Sequence, residues 1–244
     1  MSFLEHLDEL RSRLIRSLLS LVVGFGICWG FREQIFHVLV QPLRRAFPEV
    51  RLIYTSPTEA LLLYMKMAFF AGIFLAAPYL LYQLWAFVSP GLYRHEKAYS
   101  VPFIVFGSLF FAGGALFGHL VLFPIAFNFL GAFGGPEIEF LPKISEYWTF
   151  YSWFLLGLGA VFQLPVLIFV LARIGVVTPR FLLRHFKWAV LGSFVLAAVI
   201  TPTPDVVTQS LLALPMLGLY LLGVAVAWLF GKARRKPPEV PASS

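Results

Sequence analysis

The chain has 244 residues, of which 59% are hydrophobic, 17% aromatic and only 13% charged. One soluble core of this size cannot hide that much apolar surface, so lipid has to cover a large share of it. The formal net charge of +7 does not argue for nucleic acid, because the basic residues flank the apolar runs instead of gathering on one soluble module.

Ser2-Phe3-Leu4-Glu5 matches a capping box, and Phe3, Leu7, Leu10 and Leu14 recur at helical spacing. Together they predict an amphipathic N-terminal helix lying along the bilayer surface. Acidic Glu5, Asp8 and Glu9 precede the first apolar run, unlike the basic start of a cleavable leader, so the first span is expected to be retained. That span runs from about Leu14 to Phe31, with Arg16 placed to snorkel to the interface. The longest loop follows, from Arg32 to Pro57, and Glu33 to Phe47 within it reads as a short helix outside the bilayer.

A second span covers Ala60 to Phe87, interrupted by Pro78, and a third covers Val101 to Leu130, with Pro124 near its end. After the loop Gly131 to Glu146, a fourth span runs from Tyr147 to Leu171, and the basic loop Arg173 to Lys187 follows. The fifth apolar run, Trp188 to Ile200, has only 13 residues, about 20 Å of helix against a hydrocarbon core of roughly 30 Å. The sixth, Leu211 to Phe230, is entered through Thr208-Gln209-Ser210 and carries Pro215. This predicts an all-α integral membrane protein of six transmembrane helices over 1–231, with a short fifth span and a basic, disordered tail over 232–244.

Orientation follows from the basic residues. Thirteen Lys and Arg fall on the side of the two termini, five on the other side, and Lys66 stays with the second span. Both ends are therefore expected in the cytoplasm. The single cysteine, Cys28, allows no internal disulfide and no cysteine-based metal cluster, and reads as a packing residue.

On this basic inner face stand a few carboxylates, Glu5, Asp8, Glu9 and Glu96, which could receive a cationic partner. The plain alternative is local pairing, Glu9 with Arg13 at i,i+4 and Glu96 with Arg94 or Lys97, worth a few tenths of a kcal/mol each. Gln163 places an amide in the fourth span, where it needs either an interhelical hydrogen bond or a partner helix. Lys66 reads as snorkelling. His119 reads as a packed or interfacial residue, since no second ligand lies at metal spacing on its helix. Gly114-x-x-x-Gly118 signals close helix packing. Trp29, Trp85, Tyr93, Tyr147, Trp148 and Trp188 read first as an interfacial belt.

No phosphate loop, His-Glu-x-x-His or Gly-x-Ser-x-Gly elbow occurs, so no catalytic residue, metal or cofactor is assigned. Nor is there a chain of intramembrane carboxylates and histidines, so any use of an ion gradient is expected to involve partners.

Four segments resemble the TatC family of the twin-arginine protein translocase. They are His6-Leu7-Asp8-Glu9-Leu10-Arg11-Ser12-Arg13-Leu14; Ser56-Pro57-Thr58-Glu59; Ala77-Pro78-Tyr79-Leu80-Leu81-Tyr82-Gln83-Leu84-Trp85-Ala86-Phe87 leading to Pro90 and Glu96; and Thr201-Pro202-Thr203-Pro204-Asp205 followed by Gln209 and Pro215. The resemblance implies a receptor for signal peptides bearing paired arginines. It also implies assembly with single-span TatA-type and TatB-type subunits to export folded proteins across the bacterial cytoplasmic (inner) membrane; self-association is left open. By similarity, Glu9 and Glu96 stand where the family's two inner carboxylates receive the arginines, and Arg11 matches an arginine of the same opening motif. Pro42, Pro78, Asp205 and Gln209 match positions of structural or assembly character. Two departures are visible: Gln163 stands where many members have glutamate, and Leu221 follows Leu219-Tyr220 where the family often has glutamate.

Two other classes of function compete. A small-solute secondary transporter would need inverted repeats and broken helices meeting at a midplane site. An intramembrane enzyme would need a nucleophile with a base, and Ser108, Ser152 and Ser193 have no evident partner in the sequence.

Overall fold

A computed structural model of the chain describes residues 3–48, 52–88, 100–132, 141–201 and 205–231. Ser2, Pro90, Tyr93, Arg94, Glu96, Lys97, Pro202 to Pro204 and the tail 232–244 lie outside the described residues.

The first helix, α1 (Phe3–Gly30), is unbroken. No Gly or Pro occurs between Leu4 and Val23, so nothing separates an amphipathic lead-in from the first apolar run. The expected surface helix is therefore the first turns of one rod of about 42 Å. Phe31 then turns the chain into α2 (Arg32–Ala46), which contains the fully buried Pro42. Helix α3 (Glu59–Val88) continues through Pro78, which lies on an exposed side, without the expected interruption; membrane-spanning helices accommodate proline by local adjustment of the preceding turn.

The third apolar segment is α4 (Ser100–Phe117), a π-helical turn (Gly118–Leu122) and α5 (Phe123–Gly131). The wide turn precedes Pro124, whose ring and missing N–H disturb the bonding of the turn before it. The fourth is α6 (Ile144–Val161) and α7 (Leu164–Arg173), broken at Phe162-Gln163 just before Pro165. Gly175, at φ 81°, takes the left-handed conformation that ends α7, and the Val176 N–H closes on the Leu171 carbonyl at 2.9 Å. Short α8 (Pro179–Arg184) is capped by Thr178, whose hydroxyl accepts from the Phe181 N–H at 3.2 Å. Then come α9 (Phe186–Ile200) and α10 (Val206–Phe230).

Among the described residues, five stretches are long and apolar enough to cross a membrane: Glu5–Gly30, Glu59–Phe87, Val101–Gly131, Ile144–Arg173 and Val206–Phe230. The protein is thus a multi-pass helical membrane protein. Helix α9 is apolar but has 15 residues, about 22 Å long.

Helix α6 is the centre of the bundle. Its Tyr147, Trp148, Tyr151, Phe154 and Leu158 are buried against Phe70 of α3, Phe123 and Phe127 of α5, and Leu212 and Met216 of α10. Tyr147 and Trp148 are thus core residues, contrary to the belt expectation, and Trp85 is likewise buried, stacked near Phe103. Only Trp188 is strongly exposed among the tryptophans named for the belt, with Trp29 half-buried. Aromatic bodies at span ends serve either role, and here the bundle, not the lipid, claims three of them.

Two close approaches set the helix geometry. Gly24 of α1 crosses Gly72 of α3 so tightly that a Cβ on Gly24 would stand 2.8 Å from the Gly72 carbonyl oxygen. Gly114 and Gly118 of the small-residue motif receive Phe162 and Leu158, which a Cβ would meet at 2.7 Å in each case. Apart from α3, α1 has little cover: 11% of its apolar stretch is buried, against 39–44% in the other four long stretches. The rest of it is free to face lipid.

Candidate functional site

The polar site forms where the first turns of α1 meet the last turns of α3. His6, Glu9 and Arg13 share one face of α1 at spacings of three and four. That face lies on α3, where the His6 ring stacks on Phe87 at 4.6 Å between centroids. Arg13 donates to Glu9 Oε1 twice, from Nη2 at 2.6 Å and from Nε at 3.1 Å, and its Nη1 donates to Oε1 of Gln83 at 3.3 Å. The Glu9 and Arg13 side chains are only 18% and 20% exposed, so this pair is less screened than an ordinary surface ion pair.

The second carboxylate oxygen, Glu9 Oε2, is buried and has no hydrogen-bond partner among the described residues. A carboxylate that places one oxygen on two N–H groups and leaves the other without a donor is half-satisfied, and a guanidinium is the partner that matches it. Arg11 projects from the exposed side of α1, away from this cluster. Glu96, paired with Glu9 by the sequence reading, lies outside the described residues; α3 ends at Val88, one residue past the Phe87 that stacks on His6. Gln83 was passed over as a functional residue. It is 3% exposed, and its role is visible only because a contact joins positions 70 residues apart.

The other candidates are dispersed. Gln163, at the break between α6 and α7, donates from Nε2 to the Gly107 carbonyl of α4 at 2.9 Å, the interhelical bond allowed by the sequence. Pro42 lies within α2, on its buried side with Val40 and Leu43. Pro78 sits on the exposed side of α3, one to two turns from Gln83. At the opposite end of the bundle, Asp205 caps α10 by accepting from the Thr208 N–H at 2.6 Å. Gln209 Nε2 donates to the Phe194 carbonyl of α9 at 2.8 Å, tying the short helix to α10.

That opposite end is also cross-linked between loops. Ile53 pairs with Lys143 in an isolated bridge, its N–H donating to the Pro142 carbonyl at 3.2 Å. The Glu59 carboxylate accepts from the Thr55 and Ser56 N–H groups at 2.7 and 3.3 Å and lies 3.8 Å from Lys143 Nζ. Pro57 and its neighbours thus form a closed start to α3, not a site.

His119 is a core residue: its Nδ1 lies 2.7 Å from the Tyr151 hydroxyl, and both are buried. Among the described residues no group of three or more His, Cys, Asp or Glu could hold a metal ion. Ser108 and Ser152 donate to carbonyls of their own helix, Ile104 at 2.6 Å and Thr149 at 3.3 Å.

Comparison with known proteins points one way. The sequence model of the family described as Sec-independent protein translocase protein (TatC) matches residues 5–215. A Sec-independent protein translocase protein TatC of Koribacter versatilis is 43% identical over 246 residues, covering 98% of this chain and 90% of the relative. Its counterpart in Aquifex aeolicus is 37% identical over 242 residues, covering 98% and 99%. A crystal structure of the twin arginine translocase receptor TatC superposes with a TM-score of 0.80 at 36% identity, covering 92% of this chain and 98% of that one. A second, in DDM, gives 0.81 at 36% identity, covering 91% and 99%.

Proposed function

Because this chain belongs to the TatC family of Sec-independent protein translocase proteins, we propose that it is the twin-arginine signal-peptide receptor and core subunit of a translocase that exports folded proteins. The receptor reading of the site is supported by one observation: Glu9 is a poorly screened carboxylate with one oxygen on Arg13 and the other without a donor among the described residues, at the end of the bundle where α3 ends. Two guanidinium groups of an incoming signal peptide would donate charge-assisted hydrogen bonds to the Glu9 and Glu96 carboxylates. Arginine suits this because its planar fork matches a carboxylate, whereas lysine offers a point charge.

The charge asymmetry supports placing this end, with both termini, in the cytoplasm of a bacterial inner membrane. In this reading α9 makes a sixth, short crossing, held by Gln209 to α10, and the bilayer thins beside it. The concavity there is a cleft of about 660 Å³, lined among others by Phe150, Trp153, Val199 and Ile200. Six spans cannot enclose a channel of protein width, so in this reading TatA-type and TatB-type single-span helices complete the path, with Gln163, Asp205 and Gln209 at helix contacts that keep the receptor in shape. The relatives named above are translocase proteins, and the small-solute transporter reading is not retained.

Binding of a fluorescent signal peptide to the full chain in lipid nanodiscs tests the site. Glu9→Ala and Glu96→Ala should each weaken binding roughly ten- to hundredfold, the equivalent of one hydrogen-bonded charge. Replacing the peptide's Arg-Arg by Lys-Lys should weaken it less. Equal affinity in all cases would rule the site out.

A further inference from the structure

We infer that Arg13 and Gln83 are positioning residues of the signal-peptide site, which fix Glu9 by Oε1 so that Oε2 remains to accept the peptide's guanidinium. This rests on the receptor reading of Glu9.

The geometry carries the inference. An arginine that merely neutralised Glu9 could lay its fork across both carboxylate oxygens, the arrangement that gives two parallel bonds. Here both Nε and Nη2 donate to the same oxygen, Oε1, and Nη1 is drawn the other way to Gln83. Gln83 stands on α3 and is 3% exposed, so its carbonyl is a fixed anchor, not a mobile surface group. The guanidinium is therefore held between two helices, turned toward one edge of the carboxylate. Oε2 is left buried without a donor among the described residues. Such an oxygen is costly in the free protein, and a donor that arrives with the ligand removes the cost.

The neighbours agree with this arrangement. His6 and Phe87 stack beside the cluster and join α1 to α3 one turn nearer the N-terminus. Further along, the Gly24–Gly72 crossing sets the distance between the two helices. Arginine is needed at position 13 because three N–H groups are used in two directions; lysine would keep the charge but could not serve both acceptors in a planar fork.

The test is a mutant cycle on signal-peptide affinity, with the full chain in nanodiscs and monodispersity checked for each variant. Arg13→Lys and the near-isosteric Gln83→Met should each weaken binding about three- to tenfold in the wild-type background. In the Glu9→Gln background neither should weaken it further, because both act through Glu9. A merely structural role would add its loss in both backgrounds, and additive losses would overturn the inference. Wild-type affinity in Arg13→Lys and Gln83→Met beside a clear loss in Glu9→Gln would also overturn it, leaving the receptor site standing. Wild-type affinity in Glu9→Gln would overturn the receptor site, and this inference with it.

Discussion

Among the described residues, single polar side chains include some that tie helices together and one, Glu9, that keeps a carboxylate oxygen without a donor in the site. Asp205 caps α10, and Asp205→Ala should destabilise the protein by about 1 kcal/mol by exposing an unpaired N–H at the start of α10. Gln163 ties α4 to the α6–α7 break through Gly107, and Gln163→Leu should cost a similar amount, about 1 kcal/mol, without changing peptide affinity. Thermal unfolding in detergent, run beside the binding assay, checks both. The pairing of Glu9 with Arg13 was readable from the i,i+4 spacing, and its place in the site from the opening motif. Gln83 could not be found that way, because no local spacing rule reports a contact across 70 positions. Glu96 keeps its role on the strength of the motif alone.

At the scale of helices, apolar length gave the spans, and the errors came from what ends or bends them. Proline at 78 was expected to interrupt α3, yet it lies on an exposed side and the helix passes through; prolines at 124 and 165 instead accompany a π turn and a break. The surface lead-in merged with α1 because no residue there resists helix. Tyr147 and Trp148 were assigned to the lipid interface because an aromatic residue near a span end has the same sequence signal whether it faces lipid or α5. The Gly24–Gly72 crossing was equally hidden, since its two halves sit on different helices. Gly72→Ala should lower stability by about 1–3 kcal/mol, because its Cβ would stand 2.8 Å from the Phe25 nitrogen. Gly26→Ala, which meets nothing within 4 Å, should instead be neutral or stabilising by up to about 1 kcal/mol. The contrast between the two alanines, read by thermal unfolding, separates close packing from helix propensity.

For the whole molecule, the receptor account requires one end of the bundle to face the cytoplasm, and that end holds the start of α1, the end of α3 and the start of α4. On that account the other end, which carries the Ile53–Lys143 bridge and the Asp205 cap, has to face outward. With Cys28 as the sole cysteine, a Cys28→Ala background permits a thiol-labelling map. Cysteines at positions 8 and 187 should react with an impermeant reagent only from the inner side, and one at position 55 only from the outer side. The most direct measurement leaves the chain unaltered: a photoreactive group is placed in a signal peptide beside its arginine pair, and the cross-linked residues are mapped by mass spectrometry. The account expects links to 5–13 and to 94–99, reduced when the peptide carries Lys-Lys. Links confined to 52–58 or 141–146, at the other end of the bundle, would contradict it.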